Sequence, residues 1–118
     1  MKKRIQSFVY AGRGVWLVIS AEANMKIHLT VAVLVVLAGF FFQISATEWM
    51  ACLLCFGLVF TTEMINTAIE NVVDLASPLY HELAGKAKDI AAGAVLICAI
   101  ISAIIGLLIF IPKAWALL

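Results

Sequence analysis

The chain has 118 residues, 65% of them hydrophobic and 13% charged, with a net charge of +1. A mean hydropathy of +1.13 leaves too little polar surface for a water-soluble domain of this size, so the chain is an integral membrane protein built as one domain over residues 1–118. The near-neutral balance gives nucleic-acid binding no support, and Lys2, Lys3, Arg4, Arg13 and Lys26 crowd the first quarter of the sequence.

Residues 1–24 open the chain. Within them Ile5, Phe8, Val9, Gly12, Trp16 and Ile19 fall in a helical arc of about 100°, with Gln6, Tyr10, Arg13 and Ser20 outside it, which predicts an amphipathic helix lying on the membrane surface. The basic start and Ala21-Glu22-Ala23 imitate a cleavable signal. Gln6, Tyr10 and Arg13 interrupt any apolar core for one, so the segment is expected to be retained.

Between Lys26 and Glu48 lie 21 uncharged residues, enough for one crossing over 27–47. A polar break at Gln43, Ser45, Thr47 and Glu48 precedes a second helix over 49–74, about 39 Å long at 1.5 Å per residue. A connection from Leu75 to Asp89 then leads to a third helix over 89–112, whose uncharged run Ile90–Pro112 covers 23 residues. Basic residues sit in the first segment and at Lys86 and Lys88, whereas the first connection has none. The N-terminus and the second connection are therefore expected on the cytoplasmic side of the membrane.

The end of the second helix breaks the apolar pattern. Glu63, Asn66, Glu70 and Asp74 lie within an arc of about 80° at roughly 100° per residue, a polar stripe on an otherwise greasy helix. Each ionisable group at membrane depth costs on the order of 3 kcal/mol or more, so such groups are usually kept for ions, protons or substrate. Glu63 sits seven residues, about 10 Å, deeper than Glu70. The two depths suggest two roles. The outer carboxylate, with Glu22, suits a hard divalent cation such as magnesium, and the inner one can meet a lipid headgroup. Lys88 beside Asp89 supplies a point charge for phosphate where the third helix is expected to begin, a place that favours anions.

Glu63–Asp74, together with His81-Glu82-Leu83-Ala84-Gly85-Lys86-Ala87-Lys88-Asp89-Ile90-Ala91-Ala92-Gly93-Ala94-Val95-Leu96 and Glu22-Ala23-Asn24-Met25-Lys26-Ile27-His28-Leu29, closely resembles the small prokaryotic diacylglycerol kinase and undecaprenol kinase family. The resemblance covers nearly the whole chain. It implies an all-α membrane protein with a surface helix and three transmembrane helices, assembled as a homotrimer with sites shared between subunits. It also implies a kinase that transfers the γ-phosphate of ATP to a lipid alcohol with Mg2+.

By the same resemblance Glu63 matches the catalytic base, Glu22 and Glu70 match metal-binding glutamates, and Asn66, Lys88 and Asp89 match essential polar residues. Tyr10 and Leu79-Tyr80-His81 match nucleotide contacts. Where the Gram-negative diacylglycerol kinases carry Gly-Ser, this chain has Ala91-Ala92, and Asn24 and Ile27-His28-Leu29 look more like the undecaprenol branch. Undecaprenol is therefore the expected acceptor, with diacylglycerol the alternative.

Other residues have plainer readings. Asp74 at the helix end is expected to be a solvated surface carboxylate, and His28 to mark a headgroup boundary. Trp16, Trp49 and Trp115 are expected in the aromatic belts, and Gly39, Gly57, Gly93 and Gly106 at close-packing points. Cys52, Cys55 and Cys98 are expected as small buried hydrophobes, since no second pair or nearby histidine completes a metal site. A different class, a small ion-coupled transporter or assembly subunit, needs a midplane acid reachable from both faces. Here the ionisable residues gather toward one face.

Overall fold

The computed structural model describes all residues, 1–118, as four α-helices: α1 (Lys2–Ala21), α2 (Ala23–Phe42), α3 (Ala46–Ala76) and α4 (Glu82–Trp115). The helices α2, α3 and α4 are long and apolar enough to cross a membrane. At 1.5 Å per residue α3 and α4 run for about 46 and 51 Å, beyond the ~30 Å hydrocarbon layer, so their ends stand in the headgroups or past them.

The turns explain where the spans end. The first is a single residue: Glu22 adopts an extended conformation while its N–H still donates to Val18 O, and α2 starts at once on its far side. No glycine or proline marks this break. It falls where a one-sided apolar pattern gives way to a uniformly apolar one, and the two patterns require different orientations to a bilayer. α2 therefore starts four residues before the expected 27 and ends at Phe42, ahead of the expected 47.

Gln43 stops α2 by entering the left-handed region, φ 52° and ψ 54°, with its N–H donating to Gly39 O and Phe40 O and the Ile44 N–H donating to Gly39 O. Ser45 then starts α3 with a capping box: Glu48 N–H donates to Ser45 Oγ, and Ser45 N–H donates to Glu48 Oε1. Ser77 and Pro78 close α3. His81 opens α4, its Nδ1 accepting from the Leu83 N–H.

α3 packs most extensively on α4, with α2 bridging both and α1 touching α2 and α3. At the far end of the bundle Ile44, Cys52 and Ile109 form a small core, and Lys113 Nζ of α4 lies 3.3 Å from Glu48 Oε1 of α3. Trp49 lies over Gly39, where any Cβ would come within 2.6 Å of the indole, and its ring also meets Phe40 at 5.1 Å. Gly39 is thus a close-packing point. Gly57, Gly93 and Gly106 make no close approach within this chain, where a Cβ on any of them would meet nothing within 4 Å.

Little of the chain is interior. Only 13 of 118 residues are buried, and the accessible surface is 8821 Å² where a compact soluble monomer of this mass exposes about 6,300 Å². The apolar side chains of α1, among them Ile5, Phe8 and Trp16, are exposed as well. The protein has the surface of something solvated by lipid.

Candidate functional site

α3 carries the site because its packing face and its polar stripe are the same face. Glu63 is the most deeply buried large side chain of the molecule, 2% exposed, and Asn66 and Thr67 are buried beside it. Glu70, one turn on, is half-buried, and Asp74 is exposed. Measured along α3 from Glu48, Glu63 lies about 22 Å in and Glu70 about 33 Å in. With Glu48 at one boundary of a ~30 Å layer, Glu63 is inside it near the opposite side and Glu70 is just beyond.

Of the three buried polar side chains, Glu63 and Asn66 have a partner within the chain and Thr67 has none. His28 Nε2, reaching from α2, lies 3.5 Å from Glu63 Oε2. Asn66 Nδ2 donates to Glu70 Oε1 at 2.9 Å, while Asn66 Oδ1 and Thr67 Oγ1 have no protein partner at all. Orphaned buried polar atoms are costly, so these two point to a donor or cation that the single chain does not supply.

Lys88 departs from expectation in two ways. α4 begins at Glu82, so Lys88 and Asp89 sit six and seven residues inside the helix and not at its start. Anion binding by a helix N-terminus therefore plays no part there, because the first-turn N–H groups are about 9 Å away. The cause is composition: Glu82-Leu83-Ala84 and Lys86-Ala87-Lys88 are strong helix formers, and the charges that resemble a loop ride on a helix extending past the membrane. Lys88 also pairs across to Asp74 of α3, not with its neighbour Asp89, which is exposed. Lys88 precedes the apolar run that opens at Ile90, and the Asp74 carboxylate holds its ammonium above the ordinary lysine value.

Glu22 is half-buried in the turn between α1 and α2. Tyr10 is exposed on α1 with the Arg13 guanidinium 5.5 Å over its ring, and Leu79, Tyr80 and His81 stand exposed in the connection between α3 and α4. Within one chain no three acidic, histidine or cysteine side chains converge as a cation cage. The donors that the stripe itself brings together are hard oxygens, the Glu70 carboxylate and the orphaned Asn66 Oδ1; Glu22 is a further carboxylate in the turn between α1 and α2. They suit a magnesium ion that takes one or two carboxylates and completes its shell with waters and substrate phosphates.

Two cavities lie along α3, one of them lined by the stripe residue Asn66. One of about 480 Å³ lies between α3 and α4, with Asn66 and Thr62 on one wall and Ala87, Ile90, Ala91 and Ala94 on the other. The second, about 510 Å³, is walled by apolar residues of α2, α3 and α4 and has His28 on its edge.

Sequence reasoning missed the partners of His28 and Asp74, although Asp74 is exposed near the helix end as expected. For His28 a signal existed: it lies 16 residues before Ile44 and Glu63 lies 19 after it, so an antiparallel hairpin about that turn brings them level to within a turn of helix.

The family model described as prokaryotic diacylglycerol kinase matches residues 9–110. The undecaprenol kinase of Bacillus subtilis is 48% identical over 113 residues, covering 96% of this chain and 92% of that protein. A diacylglycerol kinase of Synechocystis is 40% identical over 95% of this chain and 65% of its own length. The diacylglycerol kinase of Escherichia coli K12 is 32% identical over 85% of this chain and 82% of that protein.

Proposed function

The chain belongs to the prokaryotic diacylglycerol kinase family, and we propose that within it this protein transfers the γ-phosphate of ATP to undecaprenol, giving undecaprenyl phosphate. Membership makes it a membrane lipid kinase, which displaces the ion-coupled carrier as a reading. The observation that carries the choice of acceptor is the 48% identity to an undecaprenol kinase across almost the full length, against 32% to the diacylglycerol kinase of Escherichia coli. The α4 wall of the smaller cavity agrees with it. Ala87, Ile90, Ala91 and Ala94 offer no side-chain hydrogen bond, which suits an acceptor whose sole polar group is the hydroxyl to be phosphorylated better than one carrying ester groups.

In this reading Glu63 is the catalytic base. It takes the proton of the lipid hydroxyl as that oxygen bonds the γ-phosphorus and the bond to the bridging oxygen of ADP breaks. Its depth supports the role, since a prenol hydroxyl anchored by its tail lies near the hydrocarbon boundary. Lys88 neutralises phosphate charge and exchanges Asp74 for the nucleotide when it does so. Asn66 orients Glu70, and Asp89 completes the polar rim. Glu22 and Glu70 would hold Mg2+, which when bound screens the charge of the transferring phosphates. Tyr10, Leu79, Tyr80 and His81 contact the nucleotide from the surface. Most of the acceleration comes from positioning.

The proposal includes a homotrimer in a bacterial inner membrane, with the N-terminus and the connection around Pro78 in the cytoplasm and each site closed by a neighbouring subunit. The extent of apolar surface left open by one chain, the orphaned Asn66 and Thr67 atoms and the asymmetric lysines and arginines support it.

The test is competition. Purified protein in micelles with labelled ATP is offered undecaprenol and diacylglycerol together; labelled undecaprenyl phosphate should dominate, and a predominance of phosphatidic acid would transfer the assignment to diacylglycerol.

A further inference from the structure

Glu63 raises a question that base catalysis alone leaves open: what holds its carboxylate in place. The side chain has three rotatable bonds, is 2% exposed and stands inside the hydrocarbon layer, where a carboxylate without a partner is strongly disfavoured. Among all basic side chains one lies within ion-pair range, His28 Nε2 at 3.5 Å. It comes from a different helix, so the contact fixes Glu63 against α2 as well as along α3. His28 is itself 21% exposed and stands on the edge of the larger apolar cavity. The remaining ionisable groups lining that cavity are the thiols of Cys52 and Cys55, both on α3, and α4 contributes none.

We propose that His28 is a positioning residue for phosphoryl transfer: its Nε2–H holds one oxygen of the Glu63 carboxylate, leaving the other to take the proton of the lipid alcohol. The inference rests on the reading of Glu63 as base. A base must be held to within about 0.5 Å of its productive place, and a donor on a second helix achieves this where the flexible stem of a glutamate does not. Removing such a supporting partner from a metal ligand typically costs 10- to 100-fold in affinity or activity, and a loss of the same order is expected for a positioned base. The polar atom of His28 also explains how Glu63 tolerates its depth, because the pair is desolvated together.

The test compares His28→Leu, His28→Gln and Glu63→Gln in the full-length protein in micelles, with kcat and both KM values measured. H28L should lower kcat 10- to 100-fold with the KM for ATP and for lipid within twofold of wild type, and H28Q, which keeps an N–H at similar reach, should recover at least a third of the wild-type kcat. Adding H28L to E63Q should lower turnover no further, since both changes disable one unit. An H28L enzyme with full kcat, an H28Q enzyme as impaired as H28L, or a double variant falling by the product of the single effects overturns the role of His28. These outcomes are separable from failure of the underlying reading: E63Q retaining turnover removes Glu63 as base whatever His28 does, whereas an inactive E63Q beside a fully active H28L removes only His28. Should H28L fail to assemble, His28→Asn, polar but too short to reach Glu63, takes its place with the same expected loss.

Discussion

Glu63→Gln separates stability from catalysis at one atom pair. The change keeps the volume of a side chain that is 2% exposed, so it opens no cavity. Two effects on stability oppose each other. Losing the charge removes a burial cost on the order of 3 kcal/mol at this depth, and weakening the contact with His28 removes a gain of similar size. The net change in stability should therefore stay within about 2 kcal/mol. Activity has no such compensation, because an amide cannot accept the hydroxyl proton. Loss of a general base costs 10²- to 10⁴-fold, equivalent to about 3–5 kcal/mol of barrier at 1.36 kcal/mol per tenfold. The measurement pairs a thermal melt in detergent with initial rates at saturating ATP and lipid, plus nucleotide affinity, which should hold. Turnover within threefold of wild type in a well-folded variant would refute the assignment, and a collapse of nucleotide binding with turnover per bound nucleotide intact would move Glu63 into the nucleotide site.

Glu70→Gln retains the acceptor that Asn66 Nδ2 uses at 2.9 Å, so the local hydrogen bond survives while the negative charge is lost. The magnesium concentration needed for half-maximal rate should rise roughly tenfold or more, and an unmoved titration would take Glu70 out of the metal site. Gly39→Ala should destabilise the fold, because a Cβ 2.6 Å from the Trp49 ring forces overpacking worth about 1–3 kcal/mol against a helix-propensity gain of about 1. Gly57→Ala, with open space around it in this chain, should do no worse than break even unless a neighbouring subunit packs there. A melt in which the Gly39 variant is the more stable of the two would contradict the Trp49 contact.

The spans were legible because length and apolar run carry that information locally, and so was the polar break at Gln43, Ser45, Thr47 and Glu48; that Ser45 and Glu48 form a capping box there is a finding of the structure. The start of α4 was not legible: Lys86, Lys88 and Asp89 resemble a loop when a helix is assumed to end where the hydrocarbon does, and the 34-residue α4 simply continues past it. The polar stripe could be read from α3 alone, since Glu63, Asn66 and Glu70 share one helical face. Their partners could not, because the His28–Glu63 and Lys88–Asp74 pairs depend on the register of one helix against another, and single-helix periodicity is blind to that. Asn66 had two glutamates in reach on sequence grounds, and packing selected Glu70.

The inward face of α3 explains how so small a chain sustains a buried acid. Cys52, Cys55, Val59, Glu63, Asn66 and Glu70 follow one another at three- and four-residue steps, so the row that packs α3 against its neighbours is also the row that carries the proposed catalytic side chains. At one end it is thiols and valine, interchangeable with other small hydrophobes. At the other it becomes carboxylate and amide without changing face. Glu63 is thus desolvated by the same packing that joins the spans, and no separate pocket has to be built around it. The arrangement links position to function: rotating α3 by one residue, about 100°, would turn the whole row away, exposing the acids to lipid and parting Glu63 from His28 together. With Glu63 as the proposed base, helix packing and catalysis share one constraint, and substitutions at Cys55 or Val59 that shift α3 should cost activity through Glu63 even though neither side chain is polar.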